Sequence, residues 1–173
     1  FIVPLLVRAG TARIPNPGGC RIGARPIDRH IEGLRKMGAS ISYVSSDGFF
    51  HAKTKGLRGI TYRFEKNTHT GTETLMLAAV LAKGKTVLEN ASAEPEVDDL
   101  IALLNLMGAH IQRVAERTIV IEGVERLHGA RFKIMPDRNE AVTFAVTGII
   151  TGADVTVKGA DDSVLSSFLA KLT

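Results

Sequence analysis

Two stretches of this chain repeat each other at one fixed offset, and that offset limits the folds open to it. Met37-Gly38-Ala39 closes one helical pattern, and Met107-Gly108-Ala109 closes another 70 residues later. At the same offset, Leu57-Arg58-Gly59 is matched by Leu127-His128-Gly129. Gly84-Lys85-Thr86-Val87 returns as Gly152-Ala153-Asp154-Val155, two residues short of that spacing. A period this long, repeated fewer than three times, does not belong to a solenoid of short repeats. It belongs to duplicated supersecondary units that share a core.

The hydrophobic pattern predicts the unit. Residues 60–64 are β-branched and aromatic, as in a short strand. Residues 70–82 read as a helix opened by a Thr70-x-x-Glu73 capping box and apolar around nearly its whole circumference. A strand over 86–89 follows. The next helix, 94–107, carries Val97, Leu100, Ile101, Leu104 and Met107 on one stripe and stops at Gly108. Residues 110–114 and 118–122 alternate as a hairpin. The order is β-α-β-α-β-β over residues 56–126. A further unit begins with a strand at 131–134, a helix at 139–150, a strand at 154–157 and a helix at 163–172. Ahead of the complete unit lies the back half of another, a helix over 27–37 and a hairpin of 41–44 with 49–53. The expected class is α/β (α+β). Residues 1–133 are expected to form a partial first domain, with half a unit over 1–55, and residues 134–173 a hinge and the start of a second domain. The chain opens on Phe1 rather than Met, so a fragment cut mid-repeat at both ends is expected.

Composition narrows the class. With 45% hydrophobic residues the chain has enough apolar surface for a core. One cysteine allows no internal disulfide, which suits a reducing, cytoplasmic setting. No apolar run approaches a membrane span, so no membrane partner is expected. The net charge of +4 is scattered, without Trp and with only two Tyr. That pattern suits small anionic ligands better than nucleic acid.

Cys20 lies in Pro17-Gly18-Gly19-Cys20-Arg21-Ile22-Gly23-Ala24-Arg25-Pro26, too rich in glycine for a helix or central strand. Arg21 and Arg25 would favour its thiolate, and the glycines would keep it accessible. A small buried hydrophobe is the other reading of a free cysteine. Lys66-Asn67-Thr68-His69-Thr70 leads into a helix N-terminus, where backbone N–H groups suit a phosphate, although a plain polar loop capped by Thr70 fits too. Asp137-Arg138-Asn139-Glu140 is the equivalent turn one unit later and contains a capping box. Pro26 suits the first position of a helix whose Ile27, Ile31 and Leu34 share one stripe. That leaves Asp28, Arg29 and His30 on other faces, either as a ligand rim or as a solvated helix start. Lys83-Gly84-Lys85-Thr86 imitates the end of a P-loop but follows a helix and lacks the leading glycine. The five histidines have no metal-ligand spacing, so neither a metal nor a cofactor is implied.

The Cys20 segment through Asp28 closely resembles the catalytic loop of the UDP-N-acetylglucosamine enolpyruvyl transferase family. Val87-Leu88-Glu89-Asn90-Ala91 with Glu94-Pro95-Glu96, the 119–127 stretch and Pro136-Asp137-Arg138-Asn139-Glu140 follow in the family's order. The resemblance implies an inside-out α/β barrel of β-α-β-α-β-β repeats, present here as a partial copy. It also implies transfer of the enolpyruvyl group of phosphoenolpyruvate to the 3-hydroxyl of UDP-N-acetylglucosamine, the first committed step of peptidoglycan synthesis. Cys20 would then be the proton donor that adds to phosphoenolpyruvate and is alkylated by fosfomycin, with Arg25 contacting both substrates. Arg25, Pro26, Ile27, Asp28 and Arg29 would line the uridine pocket. Lys66, Thr68, His69 and Thr70 would hold the diphosphate. Asp137, Arg138 and Glu140 would sit where the chain crosses between domains. The family's remaining catalytic groups have no counterpart here, so this piece alone is expected to be nearly inactive. Its partners would be the rest of the same polypeptide, with pairing of two pieces left open. A synthase of enolpyruvyl shikimate phosphate and a non-catalytic module of the same fold are the rival expectations.

Overall fold

The computed structural model describes residues 1–16 and 26–172, which fall into two compact units, 1–132 and 133–173. The first unit begins with an element that the repeat did not announce. Helix α1 (Ile2–Ala9) buries Ile2, Val3 and Leu6, and ends where Gly10 takes a left-handed φ of 69°. Strand β1 (Thr11–Pro15) follows. It pairs antiparallel with β3 (Phe49–Lys53), which also pairs with β2 (Ser40–Val44), giving a three-stranded sheet ordered β1-β3-β2. Helix α2 (Asp28–Lys36) precedes β2 and buries Ile31 and Leu34, as the apolar stripe requires. Ile27 takes the cap position of α2, so Pro26 lies outside the helix rather than at its first position.

The complete unit over 56–126 has the expected order. Strand β4 (Thr61–Arg63) runs parallel to β5 (Lys85–Glu89), and helix α3 (His69–Val80) connects them. After helix α4 (Pro95–Leu106), β6 (His110–Ala115) and β7 (Thr118–Glu122) form a hairpin whose β7 edge pairs with β5. The sheet order is β4-β5-β7-β6. Neither sheet closes on itself, so the fold is mixed α/β without a closed barrel.

Helix α3 explains the absence of a polar face in its sequence. Gly71, Thr72, Leu75, Met76, Ala78, Ala79 and Val80 are all buried, because α1, α2, α4 and the second sheet surround it. A helix covered over most of its circumference, with Leu77 its one exposed large apolar side chain, has little solvent face to mark with charge. Leu75, Met76 and Phe64 are fully buried at the centre of this core.

The repeat is equally visible in hydrogen bonds. Arg58 N–H donates to Met37 C=O, and His128 N–H donates to Met107 C=O, each at 2.9 Å. Gly38 and Gly108 adopt φ of 101° and 96° just beyond their helices. The residue one helical turn earlier reaches the same place in both copies: the Arg35 guanidinium and the Asn105 amide donate to Ile41 C=O and Ile111 C=O. Gly123 is fixed by close packing, since a Cβ there would meet Ala82 C=O at 1.7 Å.

In the unit 133–173 two helices form and the expected strands do not. Helix α5 (Arg138–Thr151) ends at Gly152 in the left-handed region, and α6 (Asp162–Leu169) is capped by Asp161. Residues 131–134 and 154–157 are irregular rather than extended in a sheet. The reason is physical: a strand satisfies its backbone only through a neighbouring strand, and this unit has none among its described residues.

Candidate functional site

The starts of α2 and α3 meet at a cavity of about 420 Å³. Ile14, Pro26, Ile27, Arg29, His30 and Thr70 line it. Ile14 is near the last described residue before 17–25 and Pro26 is the first after it, so the two flanks of that segment share one rim. Cys20 and Arg25 lie outside the described residues. Asp28 is exposed in the first turn of α2, and Arg29 turns to the cavity.

His30, 40 residues from Thr70 in the chain, joins the two helix starts through a 3.1 Å hydrogen bond between its Nε2 and Thr70 Oγ1. Burial holds this imidazole below the ordinary histidine range, and the neighbouring Arg29 charge adds to the effect. Nothing in the spacing of the two residues signals the contact. Tyr62 supports α2 from below: its hydroxyl donates to Glu32 Oε2 at 3.2 Å. Burial, then the Glu32 charge, pushes that phenol up to about 12.

The 66–70 turn divides its side chains among separate tasks. Thr68, not Thr70, caps α3: its Oγ1 accepts from Gly71 N–H at 3.2 Å. The extended backbone of Thr68 decides this, because a cap residue stands just outside the helix and Thr70 is already inside it. Glu73 is accordingly free of a capping box and turns to His69. Lys66 is exposed on the turn. Asn67 fastens the turn to the one before α4, donating to Ala91 C=O at 3.0 Å. Ser92 N–H adds a second tie, to Thr72 Oγ1.

His69 sits between carboxylates. Its Nδ1 pairs with Glu94 and its Nε2 lies 3.1 Å from Glu73 Oε1. Burial alone would lower its pKa. The hydrogen bond to Glu94 and the charges of Glu73 and Glu94 outweigh burial and hold it above the ordinary histidine value. Both ring nitrogens are therefore occupied on the carboxylate side. The structure thus brings Pro26, Ile27, Arg29 and Thr70 onto one cavity with His30, and places Thr68 and His69 in capping and carboxylate contacts beside it. In the other unit, Asp137 caps α5 by accepting from Asn139 N–H and Glu140 N–H, with Arg138 and Glu140 in the first turn.

Residues 1–173 match a family model described as EPSP synthase (3-phosphoshikimate 1-carboxyvinyltransferase). A protein named UDP-N-acetylglucosamine 1-carboxyvinyltransferase from Acidobacterium capsulatum is 54% identical over 169 residues, covering 98% of this chain and 38% of that protein. A protein of the same name from Koribacter versatilis is 53% identical, covering 98% and 39%. The chain thus spans about two fifths of these relatives' length. Among solved structures, the enolpyruvyl transferase NikO from Streptomyces tendae superposes with a TM-score of 0.71 at 24% identity, over 83% of this chain and 34% of that one. An EPSP synthase from Acinetobacter baumannii gives 0.62 at 24% identity, over 81% and 31%. At that identity the likeness is one of fold.

Proposed function

The chain belongs to the EPSP synthase (3-phosphoshikimate 1-carboxyvinyltransferase) family, and from that premise we propose that it is the central part of a UDP-N-acetylglucosamine 1-carboxyvinyltransferase. The observation that carries the choice within the family is the 54% identity, over 169 residues, to a protein of that name. The Gly18-Gly19-Cys20 loop agrees with it and speaks against the shikimate branch, which lacks this cysteine loop. The whole enzyme would take phosphoenolpyruvate and UDP-N-acetylglucosamine in the cytoplasm, at the first committed step of peptidoglycan synthesis.

In this reading the sugar 3-hydroxyl, giving its proton to a base in the rest of the polypeptide, adds to the phosphate-bearing carbon of phosphoenolpyruvate while Cys20 delivers a proton to the methylene carbon. Loss of phosphate from that carbon and of a proton from the new methyl group of the tetrahedral adduct then forms the enol ether on the sugar. Arg25 would neutralise the anionic substrate as charge shifts. The cavity between the starts of α2 and α3 supports a nucleotide subsite, with Pro26, Ile27, Asp28 and Arg29 toward the uridine. Lys66, at the turn into α3, would supply positive charge to the diphosphate together with the Thr68–Thr70 backbone. Residues 137, 138 and 140 would mark the passage between domains, the second of which starts near 134. The remaining catalytic groups would come from the rest of the polypeptide, so the 173-residue chain alone is expected to turn over substrate negligibly.

Mass spectrometry of the full-length protein after fosfomycin treatment tests the reading. A single adduct on Cys20, formed faster with UDP-N-acetylglucosamine present, is the expected result, and Cys20→Ser should lose nearly all turnover at neutral pH. An adduct at another residue, or none, would remove Cys20 from the chemistry.

A further inference from the structure

The contact between α2 and α3 is tight at one level and polar at another. At the tight level Gly33 of α2 lies against Leu75 of α3, where a Cβ on Gly33 would meet Leu75 Cδ1 at 2.4 Å. Toward their first turns the two helices border the cavity of about 420 Å³, with Ile27, Arg29, His30 and Thr70 on its wall. There His30 Nε2 and Thr70 Oγ1 meet at 3.1 Å. Among the described residues this is the one side-chain hydrogen bond that joins α2 to α3. The Tyr62 hydroxyl, which holds Glu32, ties α2 to β4 and not to α3. Close packing at one level fixes where two helices touch but leaves the angle between them to contacts further along.

We infer that His30 is a positioning residue for the nucleotide: through Thr70 it clasps the start of α3 to the start of α2 and sets the distance between the two halves of the subsite. The inference rests on the nucleotide reading above, with the uridine toward Pro26–Arg29 and the diphosphate toward Lys66 and the Thr68–Thr70 backbone. A ligand that spans both halves binds best when their separation already matches its own length, because ordering them on binding lowers affinity. A ligand confined to one half does not sense the separation. Thr70 serves the clasp with its hydroxyl alone. Its backbone N–H, in the first turn of α3, is one of those a helix leaves without an intrahelical acceptor, so the two roles do not compete.

Steady-state kinetics of the full-length enzyme tests the clasp, with UDP, uridine and inorganic pyrophosphate as inhibitors. His30→Leu keeps most of the side chain's bulk and loses the hydrogen bond, and Thr70→Val loses it from the other side. Each should raise KM for UDP-N-acetylglucosamine and the inhibition constant of UDP about fivefold, the size of effect one exposed hydrogen bond gives. kcat should stay within about twofold of wild type, as for an interaction equal in ground and transition states. The double variant should be no weaker than either single one, since all three remove the same bond. His30→Gln, whose amide can meet the Thr70 hydroxyl, should recover KM. Inhibition by uridine and by pyrophosphate should change by less than about twofold in every variant, because neither links the two halves. Circular dichroism checks folding, and Thr70→Val, an exposed exchange of nearly equal volume, carries the test if His30→Leu does not fold. Unchanged KM in Thr70→Val, additive losses in the double variant, or equal weakening of uridine and UDP would each overturn the clasp while leaving the nucleotide reading in place. A wild type that neither binds UDP nor turns over UDP-N-acetylglucosamine would remove that reading, and the clasp with it.

Discussion

Helices α3 and α5 start from similar sequences and finish in different circumstances. Both are apolar around most of their circumference, and both follow a turn that caps them, through Thr68 and Asp137. Seven residues of α3 are buried, and its neighbouring strands β4 and β5 form. In α5 only Ala141 and Gly148 are buried, Phe144 and Ile150 are exposed, and the segments on either side stay out of a sheet. The same kind of sequence therefore gives a helix in both places but a β-α-β unit in only one. A helix satisfies its own backbone, whereas a strand borrows its partners from elsewhere in the chain. Phe144, Ile149 and Ile150 therefore leave an apolar surface exposed on α5.

The largest contrast should come from truncating one apolar side chain on each helix. Leu75→Ala removes a fully buried side chain and should cost about 2–5 kcal/mol. Ile150, 75% exposed, should change stability by less than about 0.5 kcal/mol when made Ala. Chemical denaturation of the two variants measures both, and equal losses would show α5 to be packed as tightly as α3. Cap removal is the next effect. Thr68→Ala and Asp137→Ala should each cost about 1 kcal/mol of local helix stability. Amide exchange separates them: the first should register across the whole unit 1–132, the second only along α5. Loss of protection throughout the chain from Asp137→Ala would join what the contacts divide. The smallest effect is electrostatic. The folded pKa of His69 lies above its unfolded value of 6.5, so its stabilising contribution is complete below that pH and fades as pH rises through the folded value. His30, held low, contributes the opposite slope. The difference in melting temperature between the wild type and His69→Gln should therefore shrink from pH 5.5 to pH 8. A difference that is constant with pH would mean that folding leaves the His69 pKa unchanged.

Much of the fold was legible because its signals are local. Helix stripes such as Ile31 with Leu34, the glycines at 38 and 108 that stop two helices, and the alternation in 110–122 each act within a few residues. Their 70-residue recurrence turned local readings into a unit. The cap of α3 was misread by two residues, since Thr68 and Thr70 are chemically alike and only backbone geometry separates the residue outside the helix from the one inside. α1 escaped because a short helix of three buried residues has little period to display.

The chain thus carries, in its order of residues alone, the unit's element sequence, the positions where helices must stop, and the Gly18-Gly19-Cys20 segment. The tertiary structure alone decided which distant side chains meet. It set His30 against Thr70 and His69 against Glu94, pairs 40 and 25 positions apart to which no spacing rule applies, whereas His69 with Glu73 is an ordinary i,i+4 pair. It also decided which of two similar segments became strands. Side-chain chemistry and local backbone preference are written residue by residue. Partnership across a sheet or a cavity exists only once the chain has folded and supplied the other side.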